Sequence, residues 1–242
     1  MQIPTFPECR HPIVKELFRH PDQELLLLFQ RYPERGKYFT AIFCRYSPIV
    51  YTLIRHSARS PVQADYLFAT TWRHIYYELR GLDLREFVIA ESEAASPSSA
   101  SLGQSPSQPA PFNLQNWLIS ITAICINHAK LPPVESIHYS LADAPPPLWC
   151  YLEQALNQVS PTHRLAIVMA QTFHWSEPRI AAYFQAEGEA ISSGEVSQLL
   201  NEGYQALQSA LPDDIRDIYQ MSDQASVPNA LTQSGFLDQE PL

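Results

Sequence analysis

Apolar residues recur three and four positions apart along most of this chain, the spacing of a single helical face. From Tyr38 to His56 the stripe is Phe39, Ile42, Phe43, Tyr46, Ile49, Val50, Leu53 and Ile54, which predicts a helix over that stretch. An earlier amphipathic segment carries Leu17, Leu25, Leu28 and Phe29. Ser60-Pro61 then places a cap residue before a proline in a first helical turn. Ala64, Leu67, Phe68, Thr71, Trp72 and Ile75 continue that helix to about Leu79, and Gly81 is its expected stop. Asn113 or Asn116 opens another helix through Trp117, Leu118, Ile121 and Ile124.

Four further helices are predicted toward the C-terminus. Leu148 to Val159 is the first, and Ser160-Pro161 opens the second, to about Phe173. Ser176 caps a third, with Glu177 and Pro178 at its start. Ser192 or Ser193 caps the fourth, which carries Val196, Leu199, Leu200, Tyr204 and Leu207; Ser192 and Glu195 have the spacing of a capping box. No stretch alternates like a strand, and no internal repeat is present. The expected fold class is all-α: two small helical domains joined by Pro/Ser-rich linkers, the second containing a helix-turn-helix.

Composition agrees with this pattern. The 21 prolines and 7 glycines favour helices parted by proline-marked breaks. Three stretches lack helical periodicity. Glu91 to Pro111 is mostly Ser, Ala, Pro and Gln, and predicts a disordered insertion over 91–111. Leu131 to Pro147 is bounded by proline runs and predicts an extended linker, and the chain after Tyr219 is polar. The expected domains are therefore 1–131, a linker at 132–147, 148–220, and a disordered tail at 221–242.

Several classes are set aside at this level. The N-terminal MQIPTFPECRHP has prolines where a signal peptide needs an apolar core, and the longest apolar run, Leu25 to Phe29, is too short for a bilayer. Cys9, Cys44, Cys125 and Cys150 are scattered, with no CxxC pair and no histidine at zinc spacing. They are expected to be reduced, mostly buried thiols of a cytoplasmic protein, with no metal and no cofactor. No GxxxxGK, GxGxxG or HExxH occurs, and the histidines, His163 and His174 among them, form no triad-like arrangement with Ser or Cys. An enzyme is not expected.

Charge divides the chain. The formal net charge is −9, which argues against a protein that coats nucleic acid without sequence preference. Between Arg35 and Glu86, however, eight basic residues (Arg35, Lys37, Arg45, Arg55, Arg59, Arg73, Arg80, Arg85) stand against four acidic ones, a balance of about +4. Between Tyr151 and Tyr219, three arginines stand against nine acids, a balance of about −6. In the last predicted helix pair, Ile180, Ala181 and Phe184 are expected to pack on Val196, Leu199 and Leu200. That would aim Ser193, Ser197, Gln198 and Asn201 at base edges.

The ordered pieces resemble a known family. Glu24 to Leu79, with ELLLLFQRYPERGKYFTAIFCRYSPIVYTLIRH and then SPVQADYLFATTWRHIYYEL, resembles the second conserved region of bacterial RNA polymerase sigma factors of the extracytoplasmic-function, two-domain type. FNLQNWLISITAICINHAK looks like the promoter-melting end of that region, and Leu148 to Leu211 looks like the fourth conserved region with its helix-turn-helix. The resemblance implies a transcription initiation factor that binds core RNA polymerase and directs it to promoter DNA, with the linker threading the polymerase. It implies polymerase contacts at Arg45, Arg55, Asp65, Tyr66 and Ala69. It implies DNA contacts at Arg73, Arg80 and Arg85, at Trp117 by stacking, at His128 and Lys130, and at Ser193, Ser197, Gln198 and Asn201.

The sequence departs from the family in four places. The stretch SSGEVSQLLNEGYQAL has no Lys or Arg, so weak DNA binding by the C-terminal domain alone is expected. The turn AEGEAI is long, Tyr66 and Ala69 stand where the family has acidic and Gln residues, and 91–111 interrupts the melting segment. These departures favour a second reading, a divergent sigma-like protein that binds polymerase or another regulator without reading promoters. An anti-sigma or other regulatory protein is a further expected partner, and a membrane is not.

Overall fold

The structure is a computed structural model that describes residues 3–83 and 113–219. The expected insertion at 91–111, the tail at 221–242 and Arg85 lie outside the described residues. Among those described there are ten α-helices and no strand. They are α1 (Pro12–Leu17), α2 (Asp22–Arg31), α3 (Gly36–Ser57), α4 (Pro61–Gly81) and α5 (Leu114–His128), then α6 (Pro146–Gln158), α7 (Pro161–Gln171), α8 (Glu177–Ala186), α9 (Ser193–Ala210) and α10 (Asp213–Ile218). Short 3-10 turns at Pro7–Arg10 and Val134–Ser136 complete the path.

Local chemistry sets most of the ends. Ser60, Asn113 and Ser160 each accept a backbone hydrogen bond from three residues on, and Pro61 and Pro161 fill first-turn positions where no amide is required. The amphipathic segment expected around Leu17 to Phe29 is two helices. Pro21 stands at the start of α2 and keeps His20 out of helical geometry, so α1 ends at Leu17. Ser176 occupies its expected N-cap position, but its side chain makes no capping bond.

The main core is aromatic. Phe39, Phe43, Phe68, Trp72 and Tyr76 are fully buried between α3 and α4, and their rings meet edge to face, Phe39 on Tyr76 at 4.8 Å and Phe43 on Trp72 at 5.0 Å. The same core continues through Leu148, Tyr151, Leu152 and Leu156 of α6, Leu207 of α9, and Ile215 and Ile218 of α10. Both α6 and α10 lie directly on the front helices. A second, smaller core joins Ala166 and Met169 of α7 to Ile180, Ala181 and Phe184 of α8 and Val196 of α9.

Two expectations give way here. The end of the segment 132–147 is packed, with Leu141 and Ala144 in the main core and Pro145, Pro146 and Pro147 buried, while residues 133–136 are exposed. A proline run suits burial because it brings no amide that needs a partner. The second concerns the cysteines. Cys9 and Cys44 form a disulfide, with Cα atoms 5.4 Å apart across 35 residues of sequence, because the Pro7–Arg10 turn lies against α3. Cys125 and Cys150 are free thiols, the first half-buried and the second buried. Among the described residues no helix is long and apolar enough to cross a membrane.

Candidate nucleic-acid interface

The pair expected to form a helix-turn-helix is α8, a turn, and α9, with α7 packed behind it. Ile180, Ala181 and Phe184 pack on Val196 as the sequence predicts, while Leu199 and Leu200 lie partly buried at the edge of that core. At the start of α9 the capping box is complete: Ser192 Oγ accepts from the Glu195 amide, and Glu195 Oε2 accepts from the Ser192 amide at 2.7 Å. The bonds its carboxylate accepts from the Ser192 amide and hydroxyl hold Glu195 below its ordinary pKa. Replacing Ser192 with Ala is expected to cost about 1 kcal/mol, read as a lower urea midpoint.

Two details fix the pair. Gly188 takes a left-handed φ of 92° in the turn, and Gln185 Nε2 donates across it to the Ile191 carbonyl at 2.8 Å. Gly203 lets α9 lie close on α7, since a Cβ there would meet Ile167 Cδ1 at 3.0 Å and His163 Cβ at 3.3 Å. Ser160 Oγ lies 2.6 Å from His163 Nδ1, and His163 Nε2 lies 3.4 Å from Glu202 Oε2. This Ser–His–Glu line, which sequence reasoning did not find, straps the N-terminal cap of α7 to α9.

The residues expected to read bases occupy the first turns of α9. Ser193 and Ser197 are half-buried, and Gln198 and Asn201 are exposed. Gln198 is already engaged, donating to Glu202 Oε1 at 2.7 Å. From Glu177 to Leu207 the sequence has a single basic residue, Arg179, and its guanidinium stacks over Trp175 at 4.3 Å. Glu177, Glu187, Glu189, Glu195 and Glu202 are all exposed around it. The surface of the α8–α9 pair is therefore acidic.

Three of the front-helix arginines counted toward a phosphate-facing surface are engaged within the fold. Arg45 on α3 pairs with Asp22 and donates to the carbonyls of Phe18 at 3.2 Å and His20 at 2.9 Å, so it pins the α1–α2 turn. Arg73 on α4 makes a bidentate pair with Glu153 of α6, at 2.8 and 2.6 Å, and this pairing raises its already high pKa. Arg80 donates to Gln154 Oε1 at 3.2 Å and lies over the Tyr76 ring. Two of the expected DNA contacts are thus held by α6.

The expected polymerase contacts divide in the same way. Tyr66 and Ala69 are 8% and 0% exposed although they lie off the Leu67, Phe68 and Trp72 stripe of α4, so tertiary packing covers them and leaves a partner little surface. Asp65 and Arg55 are partly exposed neighbours. Burial raises the Asp65 carboxyl, against the opposing pull of a Tyr51 hydroxyl at 2.9 Å and the Arg55 charge. Trp117 is half-buried and packs on the main core, while His128 and Lys130 are exposed at the end of α5.

Sequence reasoning missed the contacts that join α10 to the start of α3 and to the Pro7–Arg10 turn. Asp214 of α10 is 6% exposed and accepts from the amides of Gly36 at 3.1 Å and Lys37 at 3.0 Å, capping α3 from the far end of the chain. At the other end of α10, the Tyr219 hydroxyl donates to Glu8, which is 3% exposed, at 3.2 Å.

Burial pushes the Glu8 carboxyl up to about 7, against the hydrogen bonds from its own backbone and Tyr219. Between the unfolded value of 4.5 and about 7 the folded chain holds a proton that the unfolded chain has lost. The stability from this group is full below the lower value and is lost as pH rises through the upper one, by about 3 kcal/mol. Glu8→Gln keeps the acceptor for Tyr219 without the charge. Its thermal midpoint is expected to exceed that of the unsubstituted chain near pH 8 and to match it near pH 4.

Compared with known protein families, curated proteins and solved structures, the chain matches none. Among the described residues, no group of three or more His, Cys, Asp or Glu side chains is placed to hold a metal ion.

Proposed function

We propose that this chain is a sigma-like transcription initiation factor that binds core RNA polymerase in the cytoplasm and directs it to promoters. The observation that supports it most is the α7–α8–α9 unit. Its α8–α9 pair has its own small core and a fully capped second helix, as a helix-turn-helix requires, and it follows an all-helical front unit in the order the sequence resemblance implies. Exposed Asn201 and half-buried Ser193 and Ser197 line the start of α9, where a base-reading helix carries its contacts. No covalent chemistry is required of the chain: its action is to hold polymerase and duplex in one register.

Charge supports a second reading, a polymerase-binding or regulator-binding protein that does not read promoters. Phosphate contacts supply much of the affinity of any DNA reader. Here Arg73 and Arg80 are held by α6, and the α8–α9 pair has the single cation Arg179. Gel filtration of the chain with purified core RNA polymerase tests what both readings share. Co-elution in equimolar amount is expected, and a chain that elutes alone at micromolar concentration overturns both.

A further inference from the structure

The Cys9–Cys44 bond lies one residue from Glu8, whose carboxyl takes the Tyr219 hydroxyl at the end of α10. The same short turn is held on its other side by Phe6, whose ring meets Phe43 at 4.8 Å and Phe68 at 5.9 Å. Cys44 is the residue after Phe43 on α3, the helix whose first amides Asp214 caps. Disulfide, Glu8–Tyr219 contact and Asp214 cap thus form one connected junction between the N-terminal turn, α3 and α10. Both cysteines are half-buried, so a reductant has partial access to the bond.

We propose that the Cys9–Cys44 disulfide is a redox switch that sets whether α10 is seated on α3. Disulfides that occur in a reducing cytosol are usually transient and redox-sensing, and only this choice of compartment rests on the polymerase reading. The reductant is a protein or small-molecule dithiol. One of its thiolates attacks a sulfur of the pair, the Cys9–Cys44 bond breaks, and a mixed disulfide forms. The second thiol of the reductant then displaces the remaining protein sulfur. Two electrons and two protons pass to the chain, which ends with two thiols, and the reductant ends as a disulfide. The freed Pro7–Arg10 turn no longer holds Glu8 under Tyr219, and α10 loses its support on that side.

Hydrogen exchange of the full chain, before and after treatment with dithiothreitol, tests this. In the disulfide form the Gly36 and Lys37 amides and those of α10 are expected to be protected, and reduction is expected to speed their exchange about tenfold while α4 stays protected. Cys9→Ser/Cys44→Ser is expected to exchange at the fast rate with or without dithiol, and Cys125→Ser to respond like the unsubstituted chain. Equal exchange of α10 in both states overturns the switch. So does a dithiol response that survives in the double variant, or acceleration spread evenly over α3 and α4, which makes the bond a global staple. Should the double variant fail to fold, the unsubstituted chain decides alone, with alkylation and mass measurement of Cys9 and Cys44 confirming reduction. Polymerase is absent from the assay, so failure to bind polymerase and failure of the switch are separate results.

Discussion

Gly36→Ala is expected to lift α10 off α3 and to cost about 2 kcal/mol, the scale of overpacking a filled core. A Cβ at position 36 would lie 2.1 Å from Ile215 Cγ1 and 2.3 Å from Ile215 Cδ1, and Ile215 is fully buried. The isoleucine has nowhere to swing, so the strain passes to α10 as a unit. Asp214 is its neighbour in sequence and would lose the Gly36 and Lys37 amides with it. Chemical denaturation measures the cost, and hydrogen exchange at 36–37 locates it. Gly194→Ala is the control, since a Cβ there meets nothing within 4 Å, and it is expected to be neutral or slightly stabilising.

The second large effect centres on Arg73 and Glu153. Their side chains are 28% and 14% exposed, so the pair is only partly screened by water. Arg73→Ala is expected to destabilise by about 2 kcal/mol, mostly because Glu153 is left half-buried without its bidentate partner. Removing both charges, as in Arg73→Met/Glu153→Leu, is expected to recover most of that loss. Glu153→Gln has a functional consequence as well. It frees the guanidinium for a phosphate, and is expected to tighten binding to duplex DNA and steepen its salt dependence by about one phosphate contact. Fluorescence anisotropy over a salt series reads both. An unchanged slope would mean that Arg73 does not face DNA even when released.

Much of the helical layout was legible because the information is local. The stripe Phe39 to Ile54 and the caps at Ser60, Asn113, Ser160 and Ser192 each depend on residues within one or two turns. The inward packing of Ile180, Ala181 and Phe184 was legible for the same reason. What stayed hidden depends on residues far apart in sequence. The charge balance between Arg35 and Glu86 counts Arg45 and Arg73 as available, yet one is held by Asp22 and the other by Glu153, 80 residues away. Asp214 reads as one more surface acid until α10 is laid over the start of α3. The composition of the proline-bounded 132–147 segment predicts a linker, although Leu141 supplies an apolar anchor. Tyr66 and Ala69 lie off the apolar stripe of their own helix, so no local pattern marks them as buried, and only the tertiary packing covers them.

The most direct test of a promoter-directing role is single-round transcription by purified core RNA polymerase on short genomic fragments, with and without the chain. Run-off products of defined length that appear only when the chain is present are the expected result. Polymerase that binds the chain yet stays silent on every fragment contradicts promoter reading and leaves the protein-binding alternative in its place.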